Sequence, residues 1–198
     1  MFPGKLDMIE VEKKCIPTQF VLEYLNTSAE IKNAIVLKDI CMDFEDFRLI
    51  KNDFWLRYRN GSYGLKKPIV SEKWADVYEE IEDESKILEE IKLTNFHDDN
   101  LKRISHLITN RKEFKLEQFN IVIDEVTSPG TDFFYKLMEI EILINKEDAY
   151  DSAQRKIFEF MKKHSIIDQQ VNSKFIEYVK NFNPVIYEVL KAVRKNFG

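Results

Sequence analysis

The chain's 198 residues are enough for one substantial domain, and a 44% hydrophobic share with 13% aromatics supplies a core. Five Gly and five Pro exclude collagen-like and low-complexity chains, and a net charge of -5 argues against a nonspecific nucleic-acid coat. No apolar run reaches membrane-spanning length, no signal-peptide core opens the chain, and only two cysteines, Cys15 and Cys41, occur. The expectation is a soluble, cytoplasmic, monomeric protein with a single domain over 1–198 and no disulfide.

In chain order, period-2 alternation predicts a first strand over 6–15, and 3.6-residue periodicity a helix over 17–25. Strands follow at 33–42, 53–60 and 62–67, the last two joined by a turn at Gly61-Ser62, and another at 74–82. Helical spacing covers 84–93 and 98–108. Strands return at 110–119, 120–126 and 133–145, with a turn at Ser128-Pro129-Gly130 before the last. Helices then take 146–163, 172–181 and 184–196, and Asn183-Pro184 opens the last with a cap and a first-turn proline. Ile186, Val189, Leu190 and Val193 form its packing stripe. This is an α+β chain. About eight antiparallel strands avoid open edges best as a closed barrel with surrounding helices.

Several of these strands carry charges at alternate positions, and alternate side chains share a face. Glu10, Glu12 and Lys14 point one way, with Ile9, Val11, Lys13 and Cys15 the other, so Cys15 is expected in packing. Trp55, Arg57 and Arg59 share a face, and Lys66 can join that row across the turn. Glu139 and Glu141 repeat the acidic pattern late in the chain, and Asp124 adds a carboxylate on the strand before. Any one of these alone describes an amphipathic strand with a solvated face. Together they describe a polar lumen of mixed sign, because buried charges must be paired or bound. Two aligned guanidinium forks suit consecutive phosphates. Carboxylates without His or Cys suit a hard divalent ion. His97, His106 and His164 lack ligand spacing and are expected at the surface.

Met8-Ile9-Glu10-Val11-Glu12-Lys13-Lys14 resembles the Glu-x-Glu-x-Lys signature strand of the CYTH, or triphosphate tunnel metalloenzyme, superfamily. Trp55-Leu56-Arg57-Tyr58-Arg59, Leu65-Lys66-x-Pro68, Tyr78-Glu79-Glu80-Ile81, Thr109-Asn110-Arg111 and Glu139-Ile140-Glu141 are similar to further motifs of its thiamine triphosphatase branch. Ser173-Lys174-Phe175, with Phe182-Asn183-Pro184 after it, resembles the segment bearing that branch's C-terminal lysine. The resemblance implies an eight-stranded antiparallel barrel enclosing a triphosphate tunnel. It implies triphosphate contacts from Lys14, Arg57, Arg59, Lys66, Arg111 and Lys174, with Lys174 also catalytic. Glu10, Glu12, Glu80, Asp124, Glu139 and Glu141 would hold Mg2+ or Mn2+, and Trp55 would stack on thiamine. The implied reaction is in-line attack of water on the terminal phosphorus of a small-molecule triphosphate, thiamine triphosphate first. Inorganic tripolyphosphatase or nucleoside triphosphatase activity and a non-catalytic polyphosphate-binding module are the alternatives. Two departures stand out. Cys41 and Met42 replace an aromatic pair, and Gly64 replaces a common Glu.

Overall fold

The computed structural model describes residues 8–71, 76–97, 100–145 and 150–193. Eight strands, β1 (Met8–Cys15), β2 (Glu30–Phe44), β3 (Trp55–Arg59), β4 (Ser62–Ser71), β5 (Asp76–Ile81), β6 (Leu101–Leu116), β7 (Phe119–Thr127) and β8 (Phe134–Asn145), close into one antiparallel barrel. The order around it is β1-β5-β4-β3-β2-β6-β7-β8, with β8 pairing back onto β1. Among the described residues five α-helices lie outside the barrel: α1 (Gln19–Ser28), α2 (Glu84–Ile91), α3 (Tyr150–Lys163), α4 (Lys174–Phe182) and α5 (Pro184–Val193). The expected α+β barrel is the observed architecture. No helix among the described residues is long and apolar enough to cross a membrane.

Alternation decides which side chains face the helices. Val11 and Cys15 of β1, Ile121 and Ile123 of β7, and Met138, Ile140 and Ile142 of β8 form the main outer core. Val21 and Leu25 of α1 and Ile157, Phe160 and Met161 of α3 cover it. Each fully buried aliphatic of this kind contributes about 1.5–3 kcal/mol through area removed from water. A second cluster seats Ile87 and Ile91 of α2 on Leu56 and Leu65. The Asp83 carboxylate caps α2 by accepting from the Ser85 and Lys86 amides at 2.9 and 3.1 Å. A third cluster joins Phe175, Ile176 and Val179 of α4 to Ile186 and Leu190 of α5 and to Ile50 of a 3-10 turn. The α5 stripe therefore reaches the barrel largely through α4.

Three local expectations need correction. Residues 98–108 are not a helix: from Leu101 they belong to β6, while residues 98 and 99 lie outside the described set. The apolar spacing of Leu101, Ile104 and Ile108 imitates a helix. Yet Ser105, Leu107 and Thr109 are buried at alternate positions, and β6 pairs with β2 along nearly its full length, which outweighs local periodicity. The hairpin turn is Asn60-Gly61, since Arg59 pairs with Ser62 and both turn residues have positive φ, 50° and 100°. His164 is not a surface residue: its ring packs 5.1 Å from Tyr24 and 4.4 Å from Phe160. Other element ends differ by a few residues, and parts of the expected elements at 6–7, 74–75, 146–149 and 194–196 lie outside the described residues. The Asn183 cap is present, with Oδ1 accepting from the Ile186 amide at 3.3 Å.

Candidate active site

The inward rows of seven of the eight strands converge on one cavity, β7 being the exception. Glu10, Glu12 and Lys14 enter from β1, Asp39 and Cys41 from β2, and Trp55, Arg57 and Arg59 from β3. Lys66 comes from β4, Tyr78 and Glu80 from β5, Leu107 and Arg111 from β6, and Glu139 and Glu141 from β8. Lys174 arrives from outside the sheet. Ser173 caps α4 by accepting from the Ile176 amide at 3.4 Å, and burial of Phe175, Ile176 and Val179 fixes the helix so that its first residue meets the lumen. The structure thus brings all the sequence-predicted site residues to one cavity except Asp124, which is fully buried in the wall directly behind Arg111. The β7–β8 turn does not disturb its register, because Asp124 lies opposite Arg111 and Leu137.

Charge balance organises the interior. Lys14, Arg57, Arg59, Lys66, Arg111 and Lys174 meet the carboxylates of Glu10, Glu12, Asp39, Glu80, Asp124, Glu139 and Glu141. Arg111 forks onto Asp124 with two bonds of 2.7 Å and reaches Glu139 at 3.1 Å. Arg59 forks onto Asp39 at 2.5 and 2.9 Å. Lys174 Nζ lies 3.2 Å from Asp124, 3.3 Å from Thr109 Oγ1 and 3.6 Å from Asp39. Arg57 pairs with Glu80, Lys14 with Glu12, and Lys66 approaches Glu10 at 3.5 Å. Gly64 sits opposite Arg57 in register, close enough that a Cβ there would contact the guanidinium at 3.5 Å.

The carboxylates of Glu10, Glu12 and Glu141 gather within 4.8 Å of one another. Burial, then Glu10, Glu139 and Glu12, push the Glu141 carboxyl up to about 9. Burial also raises Glu10, whereas Lys14 and Lys66 outweigh burial at Glu12 and hold it well below the usual carboxylate range. Three hard oxygen donors under mutual repulsion, with no His or Cys beside them, fit a small divalent cation such as Mg2+ or Mn2+. Glu80, Asp124 and Glu139 are not in this group and are engaged with arginines instead.

Trp55 lines the cavity with its indole 5.2 Å from the Phe175 ring, the two planes at 76°. Its Nε1 donates to Asp53 at 3.0 Å, and the Tyr78 hydroxyl donates to the other oxygen of Asp53 at the same distance. Both cysteines are free thiols. Cys15 packs in the outer core, as its alternation requires, while Cys41 lines the cavity, where burial and Asp39 push its thiol up to about 11. Asp39, Asp53, Tyr78 and Thr109 are site residues that sequence reasoning missed. Asp39 shares its face with Leu37 and Cys41, and an acid set between two uncharged neighbours on that face is the available signal.

Residues 8–176 match the CYTH domain. Solved structures of similar shape include the PH1819 protein of Pyrococcus horikoshii OT3, with TM-score 0.65 and 22% identity over 86% of this chain and 98% of that one. A candidate adenylate cyclase of Bacillus halodurans aligns with TM-score 0.58 and 19% identity, over 89% and 99% of the two chains. HpAC1 of Hippeastrum, a candidate adenylyl cyclase described as having a dominant triphosphatase activity, aligns with TM-score 0.60 and 16% identity, over 87% and 95%. These likenesses share the barrel fold.

Proposed function

The chain belongs to the CYTH domain family, and on that premise we propose that it is a metal-dependent triphosphate hydrolase converting thiamine triphosphate to thiamine diphosphate and phosphate. The observation that carries this is the convergence of six cationic side chains and a three-carboxylate cluster on one cavity. Arg57, Arg59 and Arg111 offer planar forks for non-bridging phosphate oxygens, and Lys14, Lys66 and Lys174 offer compact charges between them. Spread over the phosphoryl chain, these groups stabilise the charge that develops as water attacks the terminal phosphorus in line. Glu10, Glu12 and Glu141 would hold Mg2+ or Mn2+. When bound, that ion supplies further charge neutralisation on the phosphates. Glu80, Glu139 and Asp124 keep the arginines oriented and are candidates for water-mediated contact with the ion. Lys174, which Asp39, Asp124 and Thr109 hold at the lumen wall, would act on the terminal phosphate. The Trp55 ring supports a cationic aromatic substrate, since its face attracts positive charge. The protein would act as a single-domain cytoplasmic monomer.

A second reading, inorganic tripolyphosphatase, is favoured by the ties of Trp55 to Asp53 and Phe175, which give the indole a packing role of its own. Rates of phosphate release from thiamine triphosphate, tripolyphosphate and ATP with Mg2+ or Mn2+ separate the two. Preference for thiamine triphosphate supports the first, preference for tripolyphosphate the second. Binding without turnover of any would make the protein a polyphosphate-binding module.

A further inference from the structure

Asp39 is a carboxylate without an obvious task. It lies on the inner face of β2 and is only 2% exposed. A negative group facing a polyphosphate repels it, so Asp39 is no phosphate ligand, and it is not among the three carboxylates grouped for a cation. What it does touch is two cations. Arg59 lies opposite it in register and forks onto both of its oxygens, and the Lys174 ammonium stands 3.6 Å from Oδ2. On the far side of Lys174, Asp124 repeats the arrangement with Arg111. The result is a row of alternating charge, Arg59–Asp39–Lys174–Asp124–Arg111, that runs through β3, β2, α4, β7 and β6. Among the described residues, Asp39 is the carboxylate that bonds Arg59. Cys41, two residues along the same face, is a neutral thiol and a weak acceptor.

We propose that Asp39 is a positioning residue, whose two oxygens set the Arg59 guanidinium and the Lys174 ammonium at the points on the lumen wall from which both meet the triphosphate. The positioning rests on geometry, and only its consequence for turnover rests on the hydrolase reading. Without Asp39, the Arg59 fork opens and Lys174 is drawn toward Asp124 alone. A displacement of this kind, of about 1 Å, is enough to slow a reaction on the order of 100-fold.

The test combines crystal structures and triphosphate kinetics of Asp39→Asn, Lys174→Met and the double variant. Asn keeps the size of the side chain and removes its charge. The expected result is a folded Asp39→Asn barrel in which Lys174 Nζ has moved toward Asp124 and the Arg59 fork is lost. Its kcat falls by roughly 10- to 100-fold with a much smaller change in KM. In the Lys174→Met background the same substitution costs less than it does alone, because part of its effect passes through Lys174. Arg59 and Lys174 unmoved in Asp39→Asn, or effects that simply multiply, would overturn the proposal. If Asp39→Asn does not fold, Asp39→Glu, which moves the charge outward by one methylene, must displace the same two cations or the proposal fails. A wild-type protein that hydrolyses no triphosphate would end the hydrolase reading, and the crystallographic comparison would still decide the positioning.

Discussion

A charged side chain inside a barrel survives only by partnership, and the partnerships here differ in kind. Asp39 and Asp124 are each clamped by an arginine fork, so burial raises their carboxyls less than the adjoining cations lower them. Glu141 has the reverse balance, with carboxylates as its main neighbours. A Glu141→Gln substitution is therefore expected to weaken Mn2+ binding by roughly 10- to 100-fold while leaving the metal-free fold intact. Calorimetric titration measures this, and unchanged affinity would move the ion away from Glu141. Asp39 has an acid-side signature. Its folded carboxyl titrates below the ordinary value of 3.8, so the unfolded chain binds a proton first as pH falls. Its contribution is complete above that value and is lost as pH drops through the lower folded one. Melting curves between pH 5 and 2 should show a shallower acid loss in Asp39→Asn, and an unchanged slope would contradict the assignment. Trp55→Ala is expected to raise KM for thiamine triphosphate about tenfold, from a stacking contribution of about 1–2 kcal/mol, and to leave tripolyphosphate unaffected. Equal losses on both substrates would assign Trp55 to packing.

At the scale of elements, the site depends on a helix as much as on the sheet. Lys174 is the first residue of α4, and the helix is held down by Phe175, Ile176 and Val179. Val179→Asp would place an unpaired charge in that contact, at a cost of several kcal/mol. Release of α4 is expected to lower triphosphate turnover as far as Lys174→Met does while the strand signal in circular dichroism persists; full activity would mean that α4 does not deliver Lys174. How far such elements were legible in the sequence followed from charge alternation. β1, β3 and β8 could be read because Glu10-x-Glu12-x-Lys14, Arg57-x-Arg59 and Glu139-x-Glu141 admit only one inward face, and that face became the cavity wall. β6 misled because Leu101, Ile104 and Ile108 satisfy a helical spacing, and only the pairing with β2, distant in the chain, selects the strand. Asp39 escaped notice for a related reason. Beside Lys38 it reads as part of an exposed charged pair, and its burial is created by Arg59 and Lys174, which arrive from two other elements.

For the whole molecule, barrel closure sets the electrostatics. Every lumen cation named here already has a carboxylate neighbour, so incoming phosphates compete with protein groups for the same charges. Glu10 and Glu12 belong to the candidate divalent-ion group and are also the partners of Lys66 and Lys14. An ion held there would take over part of that pairing and leave the two lysines to phosphate. Tripolyphosphate affinity is thus expected to rise about tenfold or more with Mg2+ present, and by linkage Mg2+ affinity rises by the same factor; independent affinities in a two-ligand titration would show that the sites are uncoupled. Triphosphate hydrolysis by this lumen's own cations and a divalent ion is the proposed activity. Its most direct test is phosphate release from thiamine triphosphate by wild type and Arg57→Ala, each with Mn2+ and with chelator. Metal-dependent release by the wild type, abolished by chelator and reduced at least 100-fold in Arg57→Ala, is the expected result. No release by the wild type, or equal release by the variant, would contradict it.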